Sequence, residues 1–435
     1  MRRGDTPAAY LLATHDAQLR GRVPEDPPVG AVIEQDGPVV RTHYGTHGSV
    51  DHGDLTGVDI GALVRRQRDV FAERGEAARW TVHSHDSPSL DEHLRAEGFT
   101  RGWDRSVLVA TLDTIPPPPR VPSHKRRVRP LSGDGREYED VRRLAAEAGP
   151  QRTPLAELEA DGLAWDMQVL VLEGRSGLLG AGWAEVVQDT EFVSLGGMTA
   201  PHPELVEGLA EWARQPKHRY APSPARHPRY LIAEADGDHR TALREIGFCE
   251  ITQATSYQWN PPVTPPATRP VTLLFGEPEH NEIWDAFEKR FAFKPSTTRY
   301  PGIAEPPVSA TWDLTALKGE RDTLVEAIQA IVERGLVACT RPGEFLYWLD
   351  WNHAGYRFDP HRVSGPGRPR WPGAVDPDGD YYLYLTSDLR LGTFGHPWED
   401  TLCVFGEDLL AEVEMKLTEV LGPVLRRGGR TSGGG

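Results

Sequence analysis

A short segment occurs twice in this chain, and the repeat decides how the rest of the sequence is interpreted. WTVHSHD (80–86) leads into EHLRAEGF (92–99) and the apolar run SVLVA, while YLIAEAD (230–236) leads into TALREIGF (241–248) and ITQATSYQW. Each copy has the pattern of a strand, a helix that ends at a Gly-Phe pair, and a second strand. The two Gly-Phe pairs lie 149 residues apart, a spacing that indicates duplicated domains rather than a solenoid of short repeats.

Composition narrows the class of protein. The chain has 435 residues, with 48 Lys and Arg against 64 Asp and Glu, so we expect two or three domains and no general binding of nucleic acid or anionic membranes. Cys249, Cys339 and Cys403 are widely scattered and indicate a reducing compartment without a disulfide framework or a zinc spacing. The sequence shows no signal peptide and no membrane span. We therefore expect a cytoplasmic protein.

Two proline-rich stretches divide the chain. Residues 114–127 and 260–270 lack helical or strand periodicity and are interpreted as extended linkers. The basic residues at 125–129 are interpreted as solvated, with an anion site as the alternative. The predicted domains are therefore 1–113, 128–259 and 271–425, followed by a disordered tail at 426–435.

The middle segment has the most complete pattern. Three runs at 167–174, 178–187 and 191–199 predict strands in hairpin order, followed by a helix with Leu205 and Leu209 on one face. The repeated strand and helix come next, and we expect a closing pair of strands. The last segment predicts amphipathic helices and short aromatic strands. The predicted fold class is α+β / α/β, with tandem mixed sheets and flanking helices followed by a separate α+β domain whose sheet is mainly antiparallel.

This order of elements resembles the GNAT superfamily of N-acetyltransferases. Residues 128–259 resemble a complete domain, and residues 1–113 resemble a truncated first copy of the kind found in actinobacterial tandem proteins. The resemblance implies acetyl-CoA as co-substrate, held by the end of one strand and the start of the next helix. It implies transfer of acetyl to a small-molecule or peptide amine. The cofactor-binding residues that it implies are Gly196, Gly197, Met198, Thr199, Val206, Gly208 and Leu209.

The sequence departs from the family at the phosphate loop. The family has Arg or Gln, two residues, Gly, one residue, then Gly or Ala, whereas residues 201–209 read PHPELVEGL and keep only Gly208. Glu204 and Glu207 bring negative charge toward the expected diphosphate, which is unfavourable. Their ordinary role would be to stabilise the start of a helix.

The sequence also lacks the tyrosine acid that the family commonly has, because Leu243 stands at that position. Glu185 is the base that we predict first, and Tyr257 is an alternative acid. Both residue types also occur as surface and packed residues with no role in catalysis. The sequence thus predicts an acetyl-CoA-dependent N-acetyltransferase, with a catalytically inactive ligand-binding or protein-interaction module as the alternative.

The last segment resembles a bacterial family of unknown function through RFAFKPS (290–296), LDWNHAGYRFDP (349–360) and FGHPWEDTLCVFGEDLL (394–410). No activity follows from that resemblance. Asp350 with His353, and His396 with Glu399, would form a metal or acid–base site if they converged, but turn-capping and core-edge roles explain these residues as well. DPDGD (376–380) lacks the glycine position and the glutamate of a calcium loop, and we expect no metal. The candidates here are Asp350, His353, Asp359, His396 and Glu399. An aromatic groove for a protein partner is the alternative to an ordinary core.

Overall fold

The computed structural model describes residues 7–24, 27–117, 126–131, 135–148, 167–200, 202–215, 227–274, 277–318, 321–351, 353 and 355–431. The chain forms two compact units, Met1–Thr268 and Arg269–Gly435. The boundary between them falls within the proline-rich stretch 260–270. By contrast, the two predicted domains at 1–113 and 128–259 belong to a single unit.

The first unit contains two halves with related element order. The first half comprises α1 (Ala8–Gln18), β1 (Val32–Asp36), β2 (Val39–His43), β3 (His47–His52), α2 (Ile60–Arg74), β4 (Ala77–His83), α3 (Pro88–Ala96) and β5 (Thr100–Thr111). The second half comprises β6 (Arg126–Pro130), α4 (Gly135–Ala148), β7 (Met167–Gly174), β8 (Gly177–Val186), β9 (Phe192–Gly196), α5 (Pro203–Arg214), β10 (Tyr230–Ala235), α6 (Gly237–Ile246) and β11 (Cys249–Trp259).

All these strands join one sheet in the order β1-β2-β3-β4-β11-β5-β10-β9-β8-β7-β6. The last strand of each half is exchanged: β11 lies between β4 and β5, and β5 lies between β10 and β11. The two repeated segments therefore have equivalent surroundings, since each helix leads into a strand that pairs with the other half. The expected closing pair of strands is instead one strand from each half, which pair antiparallel with each other.

Residues 106–110 of the central strand β5 are buried on both faces. Leu108 and Ala110 belong to the core beneath α5 and α6, while Val107 and Val109 face the other side and pack with Leu11 of α1. Because successive side chains of a strand point to opposite faces, a continuous apolar run is what such a doubly covered strand requires. This explains the run SVLVA in the first repeat.

Local signals fix the ends of the helices. The carboxylate of Asp59 accepts a hydrogen bond from the Ala62 amide at 2.9 Å and caps the start of α2, and Gly75, at φ 66°, ends it. In the second repeat Gly247, at φ 118°, ends α6 in the same way. Phe248, the residue that follows, is buried in the core. The Gly-Phe pair thus stops the helix and returns the chain to the sheet.

The second unit has a mainly antiparallel sheet in the order β12-β15-β14-β16-β17-β18-β13-β19-β20. Its strands are β12 (Val271–Leu273), β13 (Ser309–Asp313), β14 (Leu346–Asp350), β15 (Gly355–Phe358), β16 (Tyr382–Thr386), β17 (Gly392–His396), β18 (Thr401–Phe405), β19 (Arg426–Arg427) and β20 (Arg430–Thr431), and its helices are α7 (Pro278–Phe291), α8 (Arg321–Ala338) and α9 (Glu407–Leu421). Phe287 and Phe291 of α7 pack on the aromatic core of this sheet. The predicted fold class is confirmed for both units.

The prediction of a disordered tail is wrong for residues 426–431. Residues 432–435 lie outside the described part of the chain. Arg426 and Arg427 pair with β13 and form a hairpin with β20 through Gly428 and Gly429, both at positive φ. The side chain of Arg426 lies between Glu399, at 2.6 Å, and Glu305, at 2.8 Å. The sequence of this segment is polar and rich in glycine, so it does not predict a strand. The position of the strand depends on a buried ion pair.

Among the described residues, no helix combines the length and the apolar character needed to cross a bilayer.

Replacing Arg426 by Gln should destabilise the protein by about 3 kcal/mol, because Glu305 and Glu399, 1% and 13% exposed, would lose their cation. The matched control is Arg427→Gln, since Arg427 and its partner Glu414 are 54% and 34% exposed. That change should cost less than about 1 kcal/mol. Urea unfolding followed by tryptophan fluorescence measures both, and equal losses would contradict the burial argument.

Candidate functional site

Two strands of the second half separate at Gly196. β9 and β10 run parallel and pair from Phe192–Tyr230 to Leu195–Ala233. Beyond that point Thr199 bonds back to Ala181 of β8, with amide to carbonyl at 3.0 Å. Residues 234 and 235 continue their pairing with β5 instead. The strands therefore diverge and leave a wedge, which we call the second wedge, bounded by Gly196–Gly197 on one side and Glu234 on the other.

Glycine is required on one wall of the second wedge. A Cβ atom on Gly196 would overlap the indole of Trp183, which lies opposite it on β8 and is 8% exposed. Gly197 has φ 57°, in the left-handed region that favours glycine. Because neither residue has a side chain, each contributes only backbone atoms to the opening of the wedge.

The other predicted cofactor-binding residues divide into two groups. Thr199 lies on the wedge wall, where its hydroxyl accepts a hydrogen bond from the Ala181 amide at 2.9 Å. Met198, Val206 and Leu209 are buried in the core of the second half, at 7%, 0% and 0% exposure. A Cβ on Gly208 would lie 2.8 Å from Val128, so this glycine allows α5 to pack closely on β6. This second group positions α5 against the sheet.

The start of α5 already holds a carboxylate. Glu204 lies 3.2 Å from the guanidinium of Arg126 on β6. Burial tends to raise the pKa of Glu204, but a backbone hydrogen bond and Arg126 outweigh it and lower the pKa. An anion arriving at this helix start would therefore compete with Glu204 and gain Arg126 as a partner.

Glu234 is a residue that sequence reasoning missed. It follows the last parallel pair directly, and its carboxylate lies 3.7 Å from Arg105 of β5. The surrounding sheet desolvates the carboxylate and raises its pKa, although the side chain keeps 40% exposure. Its neighbours Ala233 and Ala235 face the core beneath α5 and α6, so Glu234 points to the opposite face. The signal in the sequence is a glutamate within the apolar strand YLIAEA.

The two predicted catalytic residues are not brought together. Glu185 lies on β8 opposite Ser194, which in turn lies opposite Ile232 of β10. Glu185 is therefore two strand spacings, about 10 Å, from β10. Tyr257 is buried in the core of the first half, where its hydroxyl donates to Asp91 of α3. The exchange of β11 carries Tyr257 away from the second wedge.

The first half has an equivalent wedge, which its own side chains fill. β3 and β4 pair in parallel as far as Val50–Trp80, and Asp51 and His52 follow. Arg20, from beyond the end of α1, lies 2.6 Å from Asp86 and 3.0 Å from His52. Arg20 and Asp86 are each 7% exposed, and His52 is buried. A buried ion pair thus closes the first wedge where the second has two glycines.

The first half also has a partial match to the phosphate-loop pattern, which sequence analysis missed. Residues 56–61 read TGVDIG, with Gly61 at the last position of the pattern and Asp59 at the position of its first glycine. The Asp59 carboxylate caps the amide of Ala62. An internal anion therefore occupies the helix start that a phosphate would need.

In the second unit, the structure brings Asp350 and His353 together and adds Asp380. The Nδ1 atom of His353 lies 3.1 Å from Asp350 Oδ1 and 3.5 Å from Asp380 Oδ2. Burial raises the pKa of Asp350 to about 6, and the negative charge of Asp380 adds to the shift. Asp380 is the last residue of the DPDGD segment and was not among the predicted candidates, because that segment does not match a calcium loop.

The remaining candidates of this unit lie elsewhere. Asp359 accepts a hydrogen bond from the His361 amide at 2.9 Å and caps a turn. His396 is buried, and its Nδ1 accepts the backbone amide of Glu399 at 3.1 Å, while the Glu399 carboxylate binds Arg426. His396 and Glu399 therefore meet through backbone and do not form an acid–base pair. Tyr381 and Phe394 belong to the core of this unit, and Trp351 and Trp398 pack against it partly buried.

The comparisons with known proteins concern the two units separately. The family model described as "Protein of unknown function (DUF2716)" matches residues 274–410, which confirms the second resemblance. The uncharacterized protein YxiI of Bacillus subtilis (strain 168) is 28% identical over 142 residues, covering 31% of this chain and 88% of that protein.

The solved structures similar to this chain include several GNAT proteins. A GCN5-related N-acetyltransferase from Kribbella flavida is 12% identical, covers 59% of this chain and 95% of its own, and has a TM-score of 0.38. A tandem GNAT protein from the clavulanic acid biosynthesis pathway is 12% identical, covers 60% and 95%, and has a TM-score of 0.39. A GCN5-related N-acetyltransferase from Sphaerobacter thermophilus is 15% identical, covers 53% and 78%, and has a TM-score of 0.35.

The closed first wedge predicts a pH-dependent stability. Burial, and then the charge of Arg20, lower the pKa of His83 from 6.5 to about 3. The groups that face it are His15, Arg20, His85 and Asp86. Its imidazole stays neutral when folded but binds a proton below about pH 6.5 when unfolded, so stability is complete above that pH and falls toward pH 3. We expect a loss of about 2 kcal/mol between pH 7 and pH 5.

Replacing His83 by Gln should remove this part of the pH dependence. The control is His227→Gln, at an exposed position of the same unit, which should keep the wild-type slope. Urea midpoints at both pH values give the comparison. A His83→Gln slope equal to that of the wild type would contradict the assignment.

Proposed function

We propose that the chain is a GNAT-like acyltransferase whose second half binds acetyl-CoA and transfers its acetyl group to an amine. The observation that supports this is the difference between the wedges. Gly196 and Gly197 follow the last parallel pair in the second half, whereas Asp51 and His52, sealed by Arg20, follow it in the first. On this proposal the first half completes the sheet but has no acyl-CoA site of its own.

The proposed binding mode uses backbone groups of β9 beyond Leu195, where the strand no longer pairs with β10. The amide-containing arm of acetyl-CoA would lie along that edge as an added strand does. The diphosphate would lie near the start of α5, where Arg126 supplies a positive charge. Glu204 opposes this binding and limits its strength.

The proposed chemistry is direct transfer. The amine nitrogen attacks the thioester carbonyl carbon, a C–N bond forms, the C–S bond breaks, and CoA leaves as the thiolate. Glu234 accepts the proton that the amine loses, because a carboxylate with a raised pKa is the stronger base. The thiolate then takes a proton from solvent. The acceptor is a small-molecule or peptide amine.

A catalytically inactive binding module is the second candidate, and the Glu204 carboxylate at the start of α5 favours it. In that case the same fold would bind a ligand or a protein partner, with the second unit taking part. The two candidates differ in whether acetyl-CoA binds and in whether CoA thiol is released.

Binding is tested by calorimetric titration of the full chain with CoA and acetyl-CoA. We expect micromolar binding, and Glu204→Gln should tighten it about three- to tenfold because a negative charge near the diphosphate is removed. The control is Glu211→Gln, which removes the same charge in the last turn of α5. Absence of heat at millimolar ligand for both the wild type and Glu204→Gln would leave only the binding-module candidate.

Catalysis is tested by following CoA thiol release with a panel of primary amines and peptides. Replacing Glu234 by Gln should lower kcat by about 10²- to 10⁴-fold while leaving acetyl-CoA affinity unchanged. The comparison variant is Glu185→Gln, on the same face but two strands away. If Glu185→Gln abolishes turnover and Glu234→Gln does not, the base assigned from the structure is wrong and the one predicted from sequence is right.

A further inference from the structure

Three side chains of types that can bind a metal ion, Asp350, His353 and Asp380, meet at one end of the sheet of the second unit. Asp350 ends β14 and pairs with Tyr382 of β16, and Asp380 lies two residues before Tyr382. The amide of Trp351 donates to the carbonyl of Tyr381 at 3.1 Å, which extends this pairing into the turn that carries His353. The three side chains therefore come from adjoining, hydrogen-bonded backbone rather than from independent loops.

Two of the three distances between their ligand atoms are close to the edge lengths of a small coordination polyhedron. His353 Nδ1 lies 3.1 Å from Asp350 Oδ1 and 3.5 Å from Asp380 Oδ2, and the three atoms lie within 4.8 Å of one another. In a tetrahedral site with metal–ligand bonds of about 2.1 Å, ligand atoms are about 3.4 Å apart. The distances of 3.1 and 3.5 Å lie on either side of that value.

A hydrogen bond alone explains the arrangement poorly. Nδ1 carries at most one proton, yet two carboxylate oxygens approach it. The other oxygen of Asp380 accepts the Tyr381 amide at 2.9 Å, which turns Oδ2 toward the imidazole. Such a bond to the second oxygen is how proteins orient a carboxylate that binds a metal.

The site has one closed side and one open side. Asp350 and Asp380 are 16% and 15% exposed, whereas His353 is 62% exposed. The ring of Tyr382, on β16, contacts the ring of Trp348, with 5.1 Å between the centroids. Trp348 lies on β14, the strand that carries Asp350. Three protein ligands with solvent access on one side leave a coordination position for water or a substrate group.

We propose that Asp350, His353 and Asp380 bind a divalent transition-metal ion, with Zn²⁺ as the best match to one imidazole and two carboxylates. The mixture of one nitrogen and two oxygens favours Zn²⁺ over Mg²⁺, which prefers an octahedral shell of oxygens. This inference is independent of the acyl-transfer proposal, because it concerns the other unit and different residues.

The test is calorimetric titration of the untagged, metal-free full chain with Zn²⁺. We expect micromolar binding, and Asp380→Asn and Asp350→Asn should each weaken it at least tenfold. Asp378→Asn is the control, because it makes the same change at an exposed position two residues away and should bind as the wild type does. Thermal unfolding without metal verifies that each variant is folded.

Co²⁺ provides a second readout that separates this site from other histidines of the chain. Bound to the wild type and to Asp378→Asn, it should give visible d–d absorption bands, and Asp380→Asn should lose them. Zn²⁺ affinity and Co²⁺ spectra that are unchanged in both Asp380→Asn and Asp350→Asn would overturn the proposal. Equal weakening by Asp378→Asn would also overturn it, because it would show a general charge effect.

Discussion

The antiparallel pairing of β5 with β11 is the interaction on which the first unit depends. Each strand ends one half of the unit but lies inside the sheet of the other half, so neither half has a complete sheet by itself. Val107 and Ala254 lie in the same buried cluster as Leu11 of α1, so one core cluster includes residues from both halves. The exchange also places Tyr257 in the core of the first half.

The exchange produces two similar wedges, and single residues give them different properties. In the first, Arg20 and Asp86 form a buried pair whose removal from water is offset only because both partners are present. In the second, Gly196 leaves room for Trp183, and the carboxylate of Glu234 lies 3.7 Å from Arg105 and keeps access to solvent. The two wedges thus have similar backbone geometry, but a polar cluster closes the first and two glycines lie at the opening of the second.

In the second unit too, one set of charged residues stabilises the fold and a different set forms the candidate site. Arg426 is held between Glu305 and Glu399 and fixes the last hairpin, and these carboxylates are largely buried. Asp350, His353 and Asp380 lie at the end of β14 with access to solvent. Glu305 and Glu399 are paired with an arginine and stabilise the unit, whereas Asp350 and Asp380 lie next to a solvent-exposed histidine and form the proposed metal site.

The sequence by itself determined the repeated strand and helix, the Gly-Phe stops, the apolar runs of the sheet and the fold class, because these depend on local periodicity and on the backbone freedom of glycine. It also placed Gly196 and Gly197 in the last part of a strand and paired Asp350 with His353, which are three residues apart. Only the tertiary structure decided that β5 and β11 exchange, that Arg20 fills one wedge, and that Glu234 and Asp380 join the candidate sites. Those features depend on contacts between residues far apart in the chain, and no local pattern encodes which strand becomes a neighbour or which charge is buried beside it.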